Sequence, residues 1–374
     1  MIGQAGAGGQ QERGGRATSI AGRIARRSAG LVALFGAVLL VVGFAMGVPS
    51  VQPPAPVYTA GQQAQLDAEG RYRTLAAEAR AAATTDPALG GMLTALADDL
   101  TAQSDAVALP RSPASPDAPT SAPASASVSA PASAPVDGAR VMALLRDSAL
   151  RSLRDAGGAE PGPARVLASA GANQWRHAVV LGAALGEDPG LPPVEASPGA
   201  DVTAGSASGS PGGDVPADCD GTPLGPEADR QALLSARTAE EQARFGYEVA
   251  AALLPEAAPL LARSATHGVA AEAAARRLAG LCTEVAPAPA GFAIDRVFRA
   301  DPAAALRELE EDHVGLYAGL VATVGPDTRA WAVASYNAAV QRSIDAGTPL
   351  VTFPGLGAGP AASGQGGPTE PADG

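Results

Sequence analysis

In the second half of the chain, apolar residues recur every three or four positions between proline punctuation marks, which predicts four long helices. The first runs Pro226–Leu253, with Leu233, Leu234, Phe245, Val249 and Leu253 among its apolar positions. Pro255 and Pro259 mark a turn into the second, Leu260–Leu281. Phe292, Ile294, Val297 and Phe298 suggest a short amphipathic turn within Gly291–Arg299. Asp301-Pro302 combines an N-cap acceptor with a first-turn proline and opens a third helix to about Val324. A fourth, Thr328–Ala346, carries Trp331 and Tyr336, and Gly347 closes it.

The earlier pattern is weaker because its faces are largely alanine. Gly61–Ala83 reads as a helix, and Asp86-Pro87 as the start of another, with Leu89, Met92, Leu93, Leu96 and Leu100 in one stripe ending before Pro110. Helical spacing resumes at Val141, Leu144 and Leu145, and again over Ala164–Leu185, with Gly157-Gly158, Pro161 and Pro163 as breakers between. The expectation is a small helical region over 61–187, interrupted by a Pro/Ala/Ser-rich insert at 110–137. Trp175 reads as a packing residue and His177 as a surface or capping one. Residues 188–225 read as a flexible linker, 226–356 as the main domain and 357–374 as a disordered Gly/Pro tail.

Residues 29–48 contain no charged side chain and are long enough, at about 1.5 Å per residue, to cross a hydrocarbon layer of roughly 30 Å. Arg13, Arg16, Arg23, Arg26 and Arg27 precede the run, and Pro49–Tyr58 after it carries no charge. The positive-inside rule then keeps residues 1–28 in the cytoplasm and puts everything after Val48 outside. This predicts a single-pass cell-membrane protein with a spacer at 49–60. The rival reading is a cleaved signal peptide with Ala45-Met46-Gly47 as its cleavage site, although signal cores are usually shorter.

Composition narrows the class. Apolar residues make up 46% of the chain but aromatics only 3%, so the core builders are Ala, Leu and Val, which favours an all-α protein. With 45 glycines and 33 prolines, the folded mass is smaller than 374 residues suggests. A formal charge of −12 opposes nucleic-acid binding. Phosphate-loop, Cys-x-x-Cys, His-Glu-x-x-His and Gly-x-Ser-x-Gly motifs are missing, and three histidines leave little for acid–base enzymology.

The two cysteines, Cys219 and Cys282, lie just before the first long helix and just after the second. If those helices form an antiparallel hairpin, both sulfurs arrive at one end and can form a disulfide, as an oxidising compartment permits. The alternative is two unrelated buried thiols.

Glu240 lies seven residues before Tyr247, and Glu310 seven before Tyr317, so each pair shares a helix face. Glu310 and His313 are also one turn apart, and the second helix offers His267. Meeting at mid-height, Glu240, His267, Glu310 and His313 are the residue types that iron or manganese takes. The bland reading is a buried acid hydrogen-bonded to a tyrosine hydroxyl or paired with Arg244 or Arg277.

TAEEQARFGYE, ATHGVAAEAAARRL, LRELEEDHVGLYAGL and the closing Phe353–Leu356 occur in that order. With this set, residues 228–356 resemble the actinobacterial ferritin-like domain of unknown function found in exported or membrane-attached proteins. The resemblance implies a ferritin-like four-helix bundle, carries over Glu240, Tyr247, His267, Glu310 and Tyr317 with both tyrosines inside the bundle, and implies no established activity. Two departures stand out: His267 is followed by Gly268 instead of a basic residue, and the fourth helix has Asp345 but no Glu-x-x-His pair. The functional expectation is a membrane-tethered, non-catalytic binding or scaffold module of the cell envelope, needing no cofactor and engaging an envelope protein partner. The alternative is an iron- or manganese-binding oxidoreductase or iron-handling protein.

Overall fold

The structure, a computed structural model, describes residues 57–110, 137–192 and 219–357. The arginine-bearing N-terminal segment, the apolar run at 29–48, residues 49–56 of the spacer, nearly all of the insert, most of the second linker and the C-terminal tail from 358 lie outside those residues. Among the described residues the protein is all-helical, with nine helices and no strand. None of these helices is long and apolar enough to cross a membrane.

Local chemistry sets the helix ends. Helix α1 (Ala60–Thr85) opens on a capping box in which Thr59 and Gln62 exchange side-chain and backbone hydrogen bonds. Helix α2 spans Gly90–Val107. Its start differs from the Asp86-Pro87 expectation, because the Asp86 carboxylate accepts from the Ala88 and Leu89 amides and builds a turn before the helix begins. Asp137 caps α3 (Gly138–Gly158), while α4 (Pro161–Leu185) has proline in its first turn and ends at left-handed Gly186. Helices α5 (Glu227–Leu253) and α6 (Ala257–Gly280) follow, then the five-residue α7 (Arg296–Ala300). Asp301 caps α8 (Pro302–Thr323) through the Ala304 amide, and α9 spans Pro326–Asp345. A Schellman motif ends α9: Thr348 N–H reaches Ser343 C=O, Gly347 N–H reaches Ile344 C=O, and Gly347 takes φ of 103°.

Consecutive long helices pair, α1 with α2, α3 with α4, α5 with α6 and α8 with α9. Helix α9 also packs on α3 and α4, and α8 on α4 and α5. The weakly patterned N-terminal helices therefore share one hydrophobic core with the C-terminal ones, from Ala68 through Leu145, Leu167 and Leu233 to Val340. Nearly every side chain of α9 between Trp331 and Ser343 is buried, so it behaves as a central helix. Arg329 secures its start, donating to the carbonyls of Val321 and Val324 at the end of α8 and of Ala159 beyond α3. A cation on free helix-end carbonyls also complements the helix dipoles.

Two ties lie outside the helices. Cys219 and Cys282 form a disulfide across 63 residues, with their Cα atoms 5.5 Å apart, and the Leu224 amide donates to the Leu281 carbonyl beside it. The segment after α9 is stitched down through its carbonyls. Asn173 donates to Val351, Gln103 to Thr352, Tyr336 and Ser169 to Pro354, and Arg165 to Gly355. Gly355 has φ of 66°, and a Cβ there would lie 2.9 Å from Val314 Cγ1 and 3.0 Å from the Val314 carbonyl.

Two outcomes follow. Replacing both cysteines by serine lowers unfolding free energy by about 2–4 kcal/mol, because an untied loop of that length returns its entropy to the unfolded chain. Gly355→Ala costs about 1–3 kcal/mol through left-handed strain and the Val314 clash. Urea denaturation of each variant against the parent measures both.

Candidate functional site

Each of four helices delivers at least one side chain to a common buried point. Glu240 and Tyr247 come from α5, His267 from α6, Glu310, His313 and Tyr317 from α8, and Arg342 from α9. Glu240, His267 and Glu310 have no exposed surface, and His313 and Arg342 are 4% and 7% exposed. The two-turn spacing within α5 and α8 puts each Glu and Tyr on one face, and the helices run antiparallel, so the pairs cross. Tyr247 donates to Glu310 Oε1 at 2.8 Å, and Tyr317 to Glu240 Oε1 at 2.8 Å.

His267 lies between the acids. Its Nδ1 is 2.5 Å from Glu240 Oε2 and its Nε2 is 3.1 Å from Glu310 Oε1. Ionised carboxylates only accept hydrogen bonds, so both ring nitrogens carry protons and the imidazole is cationic. The ring is held by stacking on Tyr247, with centroids 5.2 Å apart, and by the edge of His313 at 5.5 Å. From the far side Arg342 donates through Nη2 to Glu240 Oε1 at 3.1 Å and through Nε to Glu310 Oε2 at 3.3 Å. Two anions therefore meet two cations, and each of the four carboxylate oxygens accepts at least one protein hydrogen bond.

The electrostatics follow from that balance. Burial alone would raise the Glu240 carboxyl, but the Arg342 charge and then the His267 hydrogen bond outweigh it and hold the group well below the ordinary carboxylate range. Burial likewise opposes ionisation of Glu310, and the His267 hydrogen bond with the Arg342 charge brings it down to about 2. For His267 burial favours the neutral ring, yet its hydrogen bonds to Glu240 and Glu310 raise it overall. Both tyrosines are pushed up, first by burial and then by the carboxylate each one faces.

Glu240, His267, Glu310 and His313, the residues expected to meet, are thus together, with Tyr247 and Tyr317 buried beside them. The anticipated arginine partners are not the ones used. Arg244 is a half-exposed neighbour of Glu248, 3.9 Å away, and the Arg277 guanidinium lies over the Trp331 ring. Arg342 takes their place, and the available signal for it was a charge eleven residues after Trp331, on the same helix face. His177 also differs from expectation: it is half-buried, with Nε2 2.9 Å from Asp99 Oδ2. Asp99 in turn accepts from Asn173 and Thr352, so this pair helps hold the final loop.

Glu240, His267 and His313 each place one ligand-type atom within 4.8 Å of the others. His313 is held by Nδ1, 2.8 Å from the Leu309 carbonyl, while its buried Nε2 has no hydrogen-bond partner and lies 4.0 Å from Glu240 Oε2. One ion would find a nitrogen acceptor there. A two-metal carboxylate centre does not fit, because Arg342 already lies against both acids.

A family model described as a domain of unknown function (DUF4439) matches residues 232–358, a stretch that takes in every member of the cluster. No curated protein and no solved structure matches the chain.

Arg342→Met leaves two buried carboxylates facing one imidazolium and costs about 3–5 kcal/mol in urea denaturation. Adding Glu240→Gln and Glu310→Gln to it restores a large part of that loss. The pH profile has two limbs. Folding depresses the acids, so their contribution is complete above the unfolded carboxyl value of about 4.3 and is lost as pH falls toward the folded Glu310 value of about 2. Folding raises His267, so its contribution is complete below about 6.5 and is lost as pH climbs through the folded value. Thermal melts from about pH 3 to pH 9 should peak between about pH 5 and 6.5, and His267→Gln should remove the alkaline limb.

Proposed function

We propose that the chain is a single-pass, membrane-anchored, extracytoplasmic protein whose helices α5, α6, α8 and α9 form a ferritin-like four-helix bundle. The bundle acts as a non-catalytic binding or scaffold module of the cell envelope, engaging an envelope protein and requiring no cofactor. The single observation that carries this reading is Arg342 between the two buried glutamates. Ferritin-like metal centres draw carboxylates and Glu-x-x-His pairs from facing helices. Here the fourth helix delivers a guanidinium instead, and a fixed internal cation neutralises the acids. The charge-free run at 29–48 with its arginine flank supports the anchor, and the disulfide supports an oxidising compartment.

A second reading has one observation in its favour. The convergence of Glu240, His267 and the unpartnered His313 Nε2 suits one iron or manganese ion, as an oxidoreductase or iron-handling protein would need. Metal analysis of the purified full-length chain separates the two. The scaffold reading expects less than about a tenth of an equivalent of metal and a melting temperature unchanged by chelator. Stoichiometric iron or manganese that disappears on Glu240→Ala would replace it with the metal reading. Identifying the mature N-terminus by mass spectrometry tests the anchor, which a start near Val48 or Val51 would exclude.

A further inference from the structure

Helix α6 is apolar on a side that the fold does not use. Among the described residues, α5 is the only helix whose backbone runs closely along it. The core takes one face, on which Ser264, His267, Ala271, Ala274 and Leu278 are buried. At about 100° per residue, Ala258, Ala262, Ala265 and Val269 fall on the opposite face, and all four are exposed. Leu261 borders them and, like Val269, is 51% exposed, so two large apolar side chains stand half in water on one helix.

The outward faces of neighbouring helices carry charge, Arg244 and Glu248 on α5 and Arg307, Glu308, Glu311 and Asp312 on α8. On α6 no charged residue between 257 and 271 is exposed, because Arg263 is half-buried 3.6 Å from Asp345 of α9. A helical stretch that is apolar all round belongs inside a structure. The charge-free face from Ala258 to Val269 runs for about 18 Å in a chain of formal charge −12. Depletion of charge on that scale is the composition of an interface core and not of a solvated surface.

We propose that this face pairs with the same face of a second copy of the chain, the two α6 helices running antiparallel about a two-fold axis at Ala265. The alanines leave room for the backbones to approach to about 8 Å. Positions equidistant from Ala265 are complementary across the axis: Leu261 of each copy meets Val269 of the other, and Glu272 meets Ala258. Glu272 is exposed, and this register sets it beside the first turn of the other α6, which has no acidic residue and no side-chain cap. A carboxylate there complements the positive end of the helix dipole. A parallel pair would instead set Glu272 against Glu272 and Arg276 against Arg276, like charge on like. A lipid surface fits the face less well, since its exposed positions carry no aromatic anchor and no cation before Arg276, and the acidic chain is repelled by anionic headgroups.

Stable dimers bury about 800 Å² per copy, and this face is smaller, so the pairing belongs at the weak end, with Kd of about 1–100 µM. It goes beyond the scaffold reading by naming a partner, the chain itself, and by giving the register of contact.

The test is copper–phenanthroline cross-linking of the full-length chain in detergent micelles, where the native cysteines are already paired. Ala265→Cys should give a disulfide-linked dimer at least about tenfold faster than Ala95→Cys, an exposed control on α2. In a mixture of chains, Leu261→Cys and Val269→Cys should link to each other in preference to themselves. Ala265→Arg, an exposed change that sets two cations face to face, should weaken association at least about tenfold in sedimentation equilibrium and leave the thermal melt of the monomer unmoved. Linking of Ala265→Cys at the control rate, or a parent chain that stays monomeric at about 100 µM, would overturn the pairing. Preferential self-linking of Leu261→Cys and of Val269→Cys would overturn the antiparallel register. A thiol at Ala265→Cys that fails to cross-link in phosphatidylcholine liposomes yet is shielded there from a water-soluble maleimide would assign the face to lipid instead. None of these results bears on the scaffold reading, which is decided by metal content and chelator melts.

Discussion

Two ionised carboxylates lie on the axis of this fold where no water reaches them, and the surrounding helices are arranged to make that tolerable. An isolated buried carboxylate is expensive by any measure, so Glu240 and Glu310 are admissible only with cations and donors fixed at hydrogen-bond distance. Those partners come from different helices, His267 from α6 and Arg342 from α9, with a tyrosine crossing each way between α5 and α8. Sliding any of the four helices by one turn, about 5.4 Å, would strand a charge. The cluster is therefore better understood as a device that selects one register than as a net source of stability, since well-packed apolar residues can match buried ion pairs for stability.

Helix α9 carries that constraint to the rest of the molecule. Arg342 near its end neutralises the cluster, Arg329 near its start closes the carbonyl ends of α3 and α8, and Tyr336 between them holds the Pro354 carbonyl. A helix with neighbours on nearly every side needs small side chains where backbones approach closely, and the alanines and serines of α9 meet that need. Those small residues are the geometric condition for α3 and α4 to join the same core.

The helices were legible because proline, aspartate and glycine mark their ends, and the seven-residue spacing of Glu and Tyr in α5 and α8 puts each acid on the same face as a tyrosine. The Cys219–Cys282 pairing could be read from where a hairpin would bring its two ends. Arg342 was only faintly legible, because an arginine has the same reach from many positions and this chain has 26 residues in its Lys+Arg count, with no local mark beyond its sharing a helix face with Trp331. Nor could periodicity show that α3 and α4 pack on α9, because alanine faces carry almost no amphipathic signal. The stitched final loop escaped for a third reason: its acceptors are backbone carbonyls, which every residue has, and only Gly355 hints that the chain must turn tightly there.

The choice of cation separates two properties that a metal would combine. An exchangeable ion stabilises a fold in proportion to its occupancy, so stability follows supply. A guanidinium on α9 is present at every folded molecule, and its planar fork satisfies one oxygen of each acid at once. Neutralisation is then complete without His313, whose ring is oriented by its own helix through the Leu309 carbonyl. His313 is thus held in place but left out of the hydrogen-bonded charge balance, its Nε2 buried 4.0 Å from Glu240 Oε2.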